Sequence, residues 1–434
     1  MMLSAQLSYE NYLVCPVCRE ALQNGTSNGH GGKCRAVACP KGHKFPRVAS
    51  VPNLLPPRYT SVLTALKKPG TRGSQVKIKV AKAWLSDALE IDLRSTRIAS
   101  SEKPLRRFLI KLGTLVSQAS ELGLNELDLR ELCTLLSSEA MSAGYRRYVA
   151  DPAVASMEAV NYEKYEDILL RRVVADSIAT GKDVALIELG SGPGRLLHQY
   201  GSVISTRDDA CVTYRRLGPL LYSPESLPNR DKLTLLLGID FADDMLRSAD
   251  RWLRRDHLGD LVSSGRISQV CATVRDLPVS FDEATWGDTT RIACVLFQTL
   301  GNQIGHSLQL EMLKVARSLI GKRGVVFVSV FNAKSFEQQG ERYYDSIRKS
   351  VGPPWHRSDR EFLSKRGVYS KWFEARELRA LFEEAGMAGA SILSEDELTT
   401  MPDYESYIDS NSQAQCKQRA LIGIYSRGLK LSVT

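Results

Sequence analysis

The chain has 434 residues, enough for two or three domains. Hydrophobic residues make up 43% and charged residues 25%, and no apolar run approaches the ~20 residues that span a bilayer, which argues against a membrane-embedded or disordered chain and against a membrane partner. The net charge of +9 sits at the front: residues 1–150 hold 22 Lys and Arg against 11 Asp and Glu, giving +11, whereas residues 151–434 hold 36 against 38, giving −2. A basic N-terminal half suits an RNA or an acidic protein partner, and equally a plain solvated surface. The first residues lack a basic segment followed by a long apolar core, so no secretory signal is expected and the cytoplasm is the expected compartment.

Nine cysteines are present, and four of them, Cys15, Cys18, Cys34 and Cys39, lie in one short N-terminal stretch. In a reducing compartment such clustering points to metal rather than to disulfides. Cys15-Pro-Val-Cys18 and Cys39-Pro-Lys-Gly-His43 form two close pairs that can supply four ligands to one tetrahedral zinc; Cys34 is a spare that can replace His43. The pattern, with Phe45 and then Val51-Pro-Asn-Leu-Leu-Pro56, resembles the N-terminal zinc ribbon of certain rRNA guanine methyltransferases. The resemblance covers about the first 56 residues and implies a Zn2+ site of Cys15, Cys18, Cys39 and His43. Four protein ligands close a site, so its role is structural. Residues 1–60 are read as this ribbon.

Pro52, Pro56, Pro57 and Lys67-Lys-Pro-Gly70 read as a linker. Residues 61–150 follow as a basic helical module. Leu105, Leu109, Leu112 and Leu115, then Leu127, Leu129, Leu132 and Leu136, recur at helical steps and are read as core. Interspersed Lys77, Lys79, Lys82, Arg94, Arg97, Arg106, Arg107 and Lys111 leave two readings open: a substrate- or RNA-facing module, or a helical cover over the next domain.

A helix from about Met157 to Thr180, carrying Tyr162 and Tyr165, leads to the most informative stretch. Val184 to Ile187 is an apolar strand, Glu188 follows, and Gly190, Gly192 and Gly194 stand at alternate positions before a helical row of Leu196, Leu197 and Tyr200. A dinucleotide fingerprint needs a glycine at 195, where Arg195 stands. Acidic-x-Gly-x-Gly-x-Gly resembles motif I of the class I S-adenosylmethionine-dependent methyltransferases. The resemblance extends over about residues 157–428 and implies an α/β fold: a Rossmann-like seven-stranded sheet within residues 151–434, binding S-adenosyl-L-methionine.

The remaining motifs follow in the order that fold demands. Strand two is Leu233 to Ile239, ending at Asp240, a position that suits the two ribose hydroxyls of the cofactor. The delay before it reads as an insertion over about 202–231. Phe241 to Met245 resembles the start of the next helix. Strand three, Ile267 to Thr273, leads into an adenine-side loop with Thr273 and Val274; the acid usual in this loop is absent at 273. Strand four, Ile292 to Phe297, is followed by Gln298-Thr-Leu-Gly-Asn302, beside the reactive methyl, without an Asn/Asp-Pro-Pro-aromatic signature. Strand five is Val325 to Val330. A helix over 334–350 carries Tyr343 and Tyr344, and an aromatic, basic segment over 355–373 is either an acceptor pocket or a packed lid. Glu377 to Ala385 reads as the last helix, and Ser391 to Leu393 and Ala420 to Tyr425 complete the seven strands, the last antiparallel.

The cofactor set expected from this resemblance is Glu188, Gly190, Gly192, Gly194, Asp240, Phe241, Met245, Thr273, Val274 and Gln298. Methyl transfer from a sulfonium needs in-line positioning and exclusion of water, and a general base only where the acceptor keeps its proton. His356, Tyr343 and His306 are the weak candidates for that base. The expected reaction is methylation of a nitrogen or oxygen on a small molecule or peptide. The alternatives are an RNA base as acceptor and a non-catalytic partner protein that binds the cofactor.

Overall fold

The computed structural model describes residues 12–24, 36–48, 51–66, 73–144, 152–205, 227–336, 353–358, 360–394, 397 and 420–432. Within the described helices α4 and α5, introduced below, side chains are placed only up to residue 138 and from residue 166. Among the described residues no helix is long and apolar enough to cross a membrane.

A seven-stranded sheet carries the C-terminal half. Its strands are β5 (Val184–Leu189), β6 (Leu233–Asp240), β7 (Ile267–Cys271), β8 (Thr290–Val295), β9 (Gly324–Phe331), β13 (Ser391–Ser394) and β14 (Ala420–Arg427), in the spatial order β13-β14-β9-β8-β5-β6-β7. The five strands β5 to β9 run parallel, and β14 pairs antiparallel with both β9 and β13. Counted by rank along the chain the order is 6-7-5-4-1-2-3 with strand 7 reversed: the class I methyltransferase form of the Rossmann-like fold. All seven expected strands are present. β7 stops two residues early: Ala272 N–H makes the last ladder bond, to Asp240 C=O at 2.9 Å, and the chain then turns at Thr273, whose Oγ1 accepts Asp276 N–H.

A parallel sheet is buried on both faces, and its strands are therefore apolar throughout. All six residues of β5 are buried, and alternate ones enter different cores. Val184 and Leu186 pack with Leu169, Leu170, Val173 and Val174 of α5 (Pro152–Ala179) and with Leu196 and Leu197 of α6 (Arg195–Ile204). Ala185, Ile187 and Leu189 pack with Met312 and Leu313 of α8 (His306–Leu319) and Leu378 and Leu381 of α9 (Ala375–Glu384).

The N-terminal segment closes one edge of this sheet. Four short antiparallel strands, β1 (Gln23–Asn24), β2 (Ala36–Ala38), β3 (Lys44–Val48) and β4 (Val51–Pro52), form the ribbon. Its Tyr12, Leu13, Leu22, Phe45 and Leu54 belong to the same core as β5, and Tyr12 stacks on Trp286 with ring centroids 5.4 Å apart. Leu54 N–H donates to Cys271 C=O at 2.7 Å, so the free edge of β7 is covered rather than exposed.

The stretch read as a linker contains a helix, α1 (Pro57–Leu66). Proline at the first helical position loses nothing by lacking an N–H, since that donor has no partner inside the helix. Three longer helices follow: α2 (Ser74–Leu89), α3 (Lys103–Gln118) and α4 (Glu126–Gly144). The leucines of both rows are buried together except Leu127, which is half-exposed. Their core also takes in Ile304, Leu363 and Tyr369 from the C-terminal half, so the helices pack over that half. The 355–373 segment is a three-stranded antiparallel sheet, β10 (Pro354–Arg357), β11 (Glu361–Ser364) and β12 (Tyr369–Lys371). Its Phe362, Tyr369, Trp372 and Phe373 are buried, the arrangement of a packed lid.

Candidate functional site

The site lies at the carboxyl ends of β5, β6 and β8, the place where open α/β sheets hold ligands. Gly190, Gly192 and Gly194 all have positive φ, at 77°, 51° and 81°. Two of them are glycine for different reasons. A β-carbon at Gly190 would overlap the Thr299 methyl, whereas one at Gly192 would meet nothing within 4 Å. Gly190 is therefore fixed by the protein's own packing, and Gly192 presents bare backbone to open space, as a turn cradling a ligand does. The turn is tied to the next strand: Gly190 and Ser191 N–H both donate to Ile239 C=O, at 2.7 and 3.0 Å.

Asp240, at the end of β6, reaches back to this turn. Its Oδ2 accepts Gly192 N–H at 2.8 Å and its Oδ1 accepts Ala242 N–H at 2.7 Å. Each carboxylate oxygen keeps a second lone pair for a hydroxyl donor. Burial pushes the Asp240 carboxyl up, and the amides of Ala242, Gly192 and Phe241 oppose it. Glu188 is 4% exposed at the end of β5, and its Oε2 accepts no hydrogen bond. Burial pushes its carboxyl well above the usual range; Arg195 pulls it down while Glu166, Asp240 and Asp167 push it further up. A cation placed among these four carboxyl groups would favour their ionised forms, so the site suits a cationic ligand.

A strained turn faces them from β8. Phe297 and Gln298 are consecutive non-glycine residues in the left-handed region, with φ of 44° and 68°. Such strain persists only where the surroundings impose it, and it gathers at functional sites. Two groups hold it: Ser329 of β9, whose Oγ accepts Phe297 N–H at 2.8 Å, and Glu166 of α5, which is fully buried. Its Oε2 accepts Phe297 N–H at 3.0 Å and the Ser329 hydroxyl, and its Oε1 is paired with Arg195, the first residue after the glycine turn. Arg195 also donates to Asp167 at 3.0 Å. One buried carboxylate thus ties the turn after β5 to the turn after β8. Sequence reasoning missed Glu166 and Phe297; the arginine in place of a fingerprint glycine was the one signal available.

The other expected residues are placed as follows. Met245 is buried at the start of α7 (Asp243–Arg255), and Phe241 packs half-buried beside Leu246 and Cys271. Thr273 is fully buried and its Oγ1 accepts Asp276 N–H at 3.2 Å; Val274 is 9% exposed. Gln298 is buried with both ends of its side chain used: Oε1 accepts Phe331 N–H at 2.7 Å, and Nε2 donates to Ser370 Oγ and to Lys371 C=O. Its backbone is engaged as well: the N–H donates to Ser329 C=O at 3.3 Å and the C=O accepts Asn302 N–H at 3.0 Å. His306 is an exposed residue paired with Glu384 of α9 at 2.7 Å. His356 is half-buried on β10, its Nε2 without a hydrogen bond, and burial lowers its pKa, which keeps it neutral near pH 7. Tyr343, Tyr344, Cys34 and residues 206–226 of the insertion lie outside the described residues, as do the side chains of Tyr162 and Tyr165.

A second centre sits on the ribbon. The ligand atoms of Cys15, Cys18, Cys39 and His43 all lie within 4.8 Å of one another. Cys39 Sγ is 3.3 Å and Cys15 Sγ 3.6 Å from His43 Nδ1, and Cys18 Sγ is 3.6 Å from Cys39 Sγ. A tetrahedron with zinc–ligand bonds of about 2.0–2.3 Å has edges of about 3.3–3.8 Å. These three edges lie in that range, so the four side chains are placed to share one zinc ion.

No protein-family profile matches the chain, and no curated protein matches it. Among solved structures it is similar to the 1,6-didemethyltoxoflavin-N1-methyltransferase of Burkholderia thailandensis, at 13% identity and a TM-score of 0.35, over 68% of this chain and 87% of that one. It is similar to the plantazolicin methyltransferase BamL at 9% identity and a TM-score of 0.38, over 69% and 98%. The CcbJ methyltransferase of Streptomyces caelestis follows at 15% identity and 0.31, over 59% and 94%. The first two hold S-adenosylhomocysteine. Scores this low carry no argument about activity; the fold assignment rests on the strand order and the direction of β14.

Proposed function

We propose that the chain is a methyltransferase that uses S-adenosyl-L-methionine and acts on a nitrogen or oxygen of a small molecule or peptide. The observation that carries the reading is the pairing of Asp240 with Gly192: an acid at the end of β6 buttresses the glycine turn after β5 and keeps lone pairs for a ribose. The unsatisfied oxygen of Glu188 matches an ammonium donor, and the surplus of carboxylates matches a ligand that is cationic at both sulfur and nitrogen.

When bound, the cofactor supplies an electrophilic methyl on a sulfonium. The chain's own work is positional. Gly190 to Gly194 and Asp240 hold the donor, and the strained turn at Phe297 and Gln298 sets the wall beside the transferred group. The buried aromatics of β11 and β12 exclude water. We assign structural zinc to Cys15, Cys18, Cys39 and His43 on the same footing.

RNA as acceptor is the second reading, favoured by exposed Lys79, Arg97, Lys103 and Arg107 on and beside α2 and α3. Transfer of labelled methyl to fractionated cell extract separates the two. Label in small molecules or peptides supports the first, and label in RNA, with binding that falls steeply with salt, supports the second. A chain that binds no S-adenosylhomocysteine in calorimetry is not a methyltransferase of this kind.

A further inference from the structure

Residues 273–278, the loop expected to face the adenine, are held by segments far away in the chain. Arg275 Nη1 donates to Asp128 Oδ1 of α4 at 3.0 Å and lies 3.7 Å from Glu131 Oε2 of the same helix. Both carboxylates are nearly fully buried and both accept the Tyr59 hydroxyl of α1, at 2.9 and 2.8 Å. Asp128 is itself fixed, its Oδ2 accepting Asn125 N–H at 3.0 Å. From the opposite side the ribbon grips the end of the loop: Arg19, next to the first zinc knuckle, donates to Leu277 C=O at 2.8 Å and Val279 C=O at 3.1 Å.

The same α4 also reaches the acceptor side. Arg130 donates to Ile304 C=O at 3.4 Å, and Ile304 N–H donates to Thr134 Oγ1 at 3.3 Å. One helix thus touches the loop after β7 through Asp128 and Glu131, and the loop after β8 through Arg130 and Thr134.

We propose that Arg275, clamped by Asp128 and Glu131, is a positioning residue that sets the affinity for the methyl donor, so that the helical module is a working part of the donor site. This rests on the reading of the site as a S-adenosylmethionine site. Thr273 and Val274 immediately precede Arg275, and a loop ordered before binding loses less conformational freedom when the ligand arrives. Nothing in the clamp touches the transferred methyl, so it acts on donor binding rather than on the chemical step.

The test is calorimetric binding of S-adenosylhomocysteine to the full chain and to Arg275→Ala, Arg275→Lys and Asp128→Asn. Wild type binds. Arg275→Ala is expected to bind at least tenfold more weakly, and Arg275→Lys, which keeps one charge in reach of the carboxylates, to recover most of that loss. The KM for the donor rises in Arg275→Ala while kcat at saturating donor stays within threefold, and amide exchange speeds up over 273–278 but not over β5. Should Arg275→Ala not fold, Asp128→Asn, which keeps the shape and removes the charge, is expected to show the same loss of affinity. Wild-type binding with unchanged affinity in the folded variants overturns the proposal alone. Absence of wild-type binding sinks the donor reading, and the proposal with it.

Discussion

The carboxylate of Glu166 accepts the backbone N–H of Phe297 at 3.0 Å across 131 residues of chain, while its other oxygen holds Arg195. A buried acid with a cation on one side and a strained turn on the other leaves a large deficit when it is altered. Glu166→Gln keeps the shape but removes the charge that Arg195 pairs with. Breaking a buried pair in this way costs about 3–5 kcal/mol. We expect a melting temperature several degrees lower and kcat reduced at least tenfold, because the turn after β8 keeps its Ser329 contact at 2.8 Å but loses the charged link to Arg195. A variant with wild-type kcat and a lowered melting temperature would confine Glu166 to folding.

The glycines of the turn separate packing from binding. Gly190→Ala drives a methyl into Thr299 and costs about 1–3 kcal/mol by overpacking; Thr299→Ser, which removes the obstructing methyl, should restore part of it. Gly192→Ala meets no neighbour, so its cost to stability is only the left-handed backbone, about 1–2 kcal/mol. Its affinity for S-adenosylhomocysteine should nonetheless fall the more sharply of the two. Paired melting curves and calorimetry of both variants decide this. Equal losses of affinity would mean that Gly192 does not face the ligand.

The sheet was readable because five parallel strands must be apolar along their whole length and each ends at a turn with its own chemistry. β5 and Gly190 to Gly194 are the clearest case. What was not readable depends on distance along the chain. Glu166 is one acid among several on α5, and no spacing rule joins it to Phe297. Arg275 looks like an ordinary loop arginine until α4 supplies Asp128 and Glu131 from 147 and 144 residues away. The helix Pro57–Leu66 was hidden by the residues that punctuate loops, since proline signals both a break and a first helical turn. Gln298 is expected beside the reactive methyl from its place after strand four, whereas the structure shows its side chain bracing β9 and β12.

Glu131 makes the helical module sensitive to pH. Burial pushes its carboxyl up to about 7; the Tyr59 hydroxyl and the Arg275 charge oppose this, and Asp276 adds to it. The folded pKa lies above the unfolded value of 4.5, so the folded chain holds an extra proton between the two. That contribution is fully present below pH 4.5 and is lost as pH rises through about 7. Glu131→Gln mimics the protonated form at every pH. Its melting temperature, taken relative to wild type, should therefore climb between pH 5 and pH 8.5. A difference that stays flat across that range would show that Glu131 is ionised throughout.

Zinc in the ribbon should stabilise more than the ribbon. Cys15 and Cys18 frame the knuckle that ends at Arg19, and Arg19 holds Leu277 and Val279 at the end of the loop after β7. Tyr12, Leu13 and Leu54, by contrast, are buried against the sheet by apolar contact that needs no metal. Loss of the ion should therefore loosen the knuckle and the 277–279 segment while the seven strands persist. We expect one zinc per chain by atomic absorption, and a marked loss of zinc in Cys18→Ser, which leaves three good ligands. The metal-free chain should melt several degrees lower and exchange amide protons faster over 14–19 and 277–280, with its far-ultraviolet dichroism kept. A chain purified without zinc, together with a Cys18→Ser variant that melts with wild type, would remove the metal from the structure.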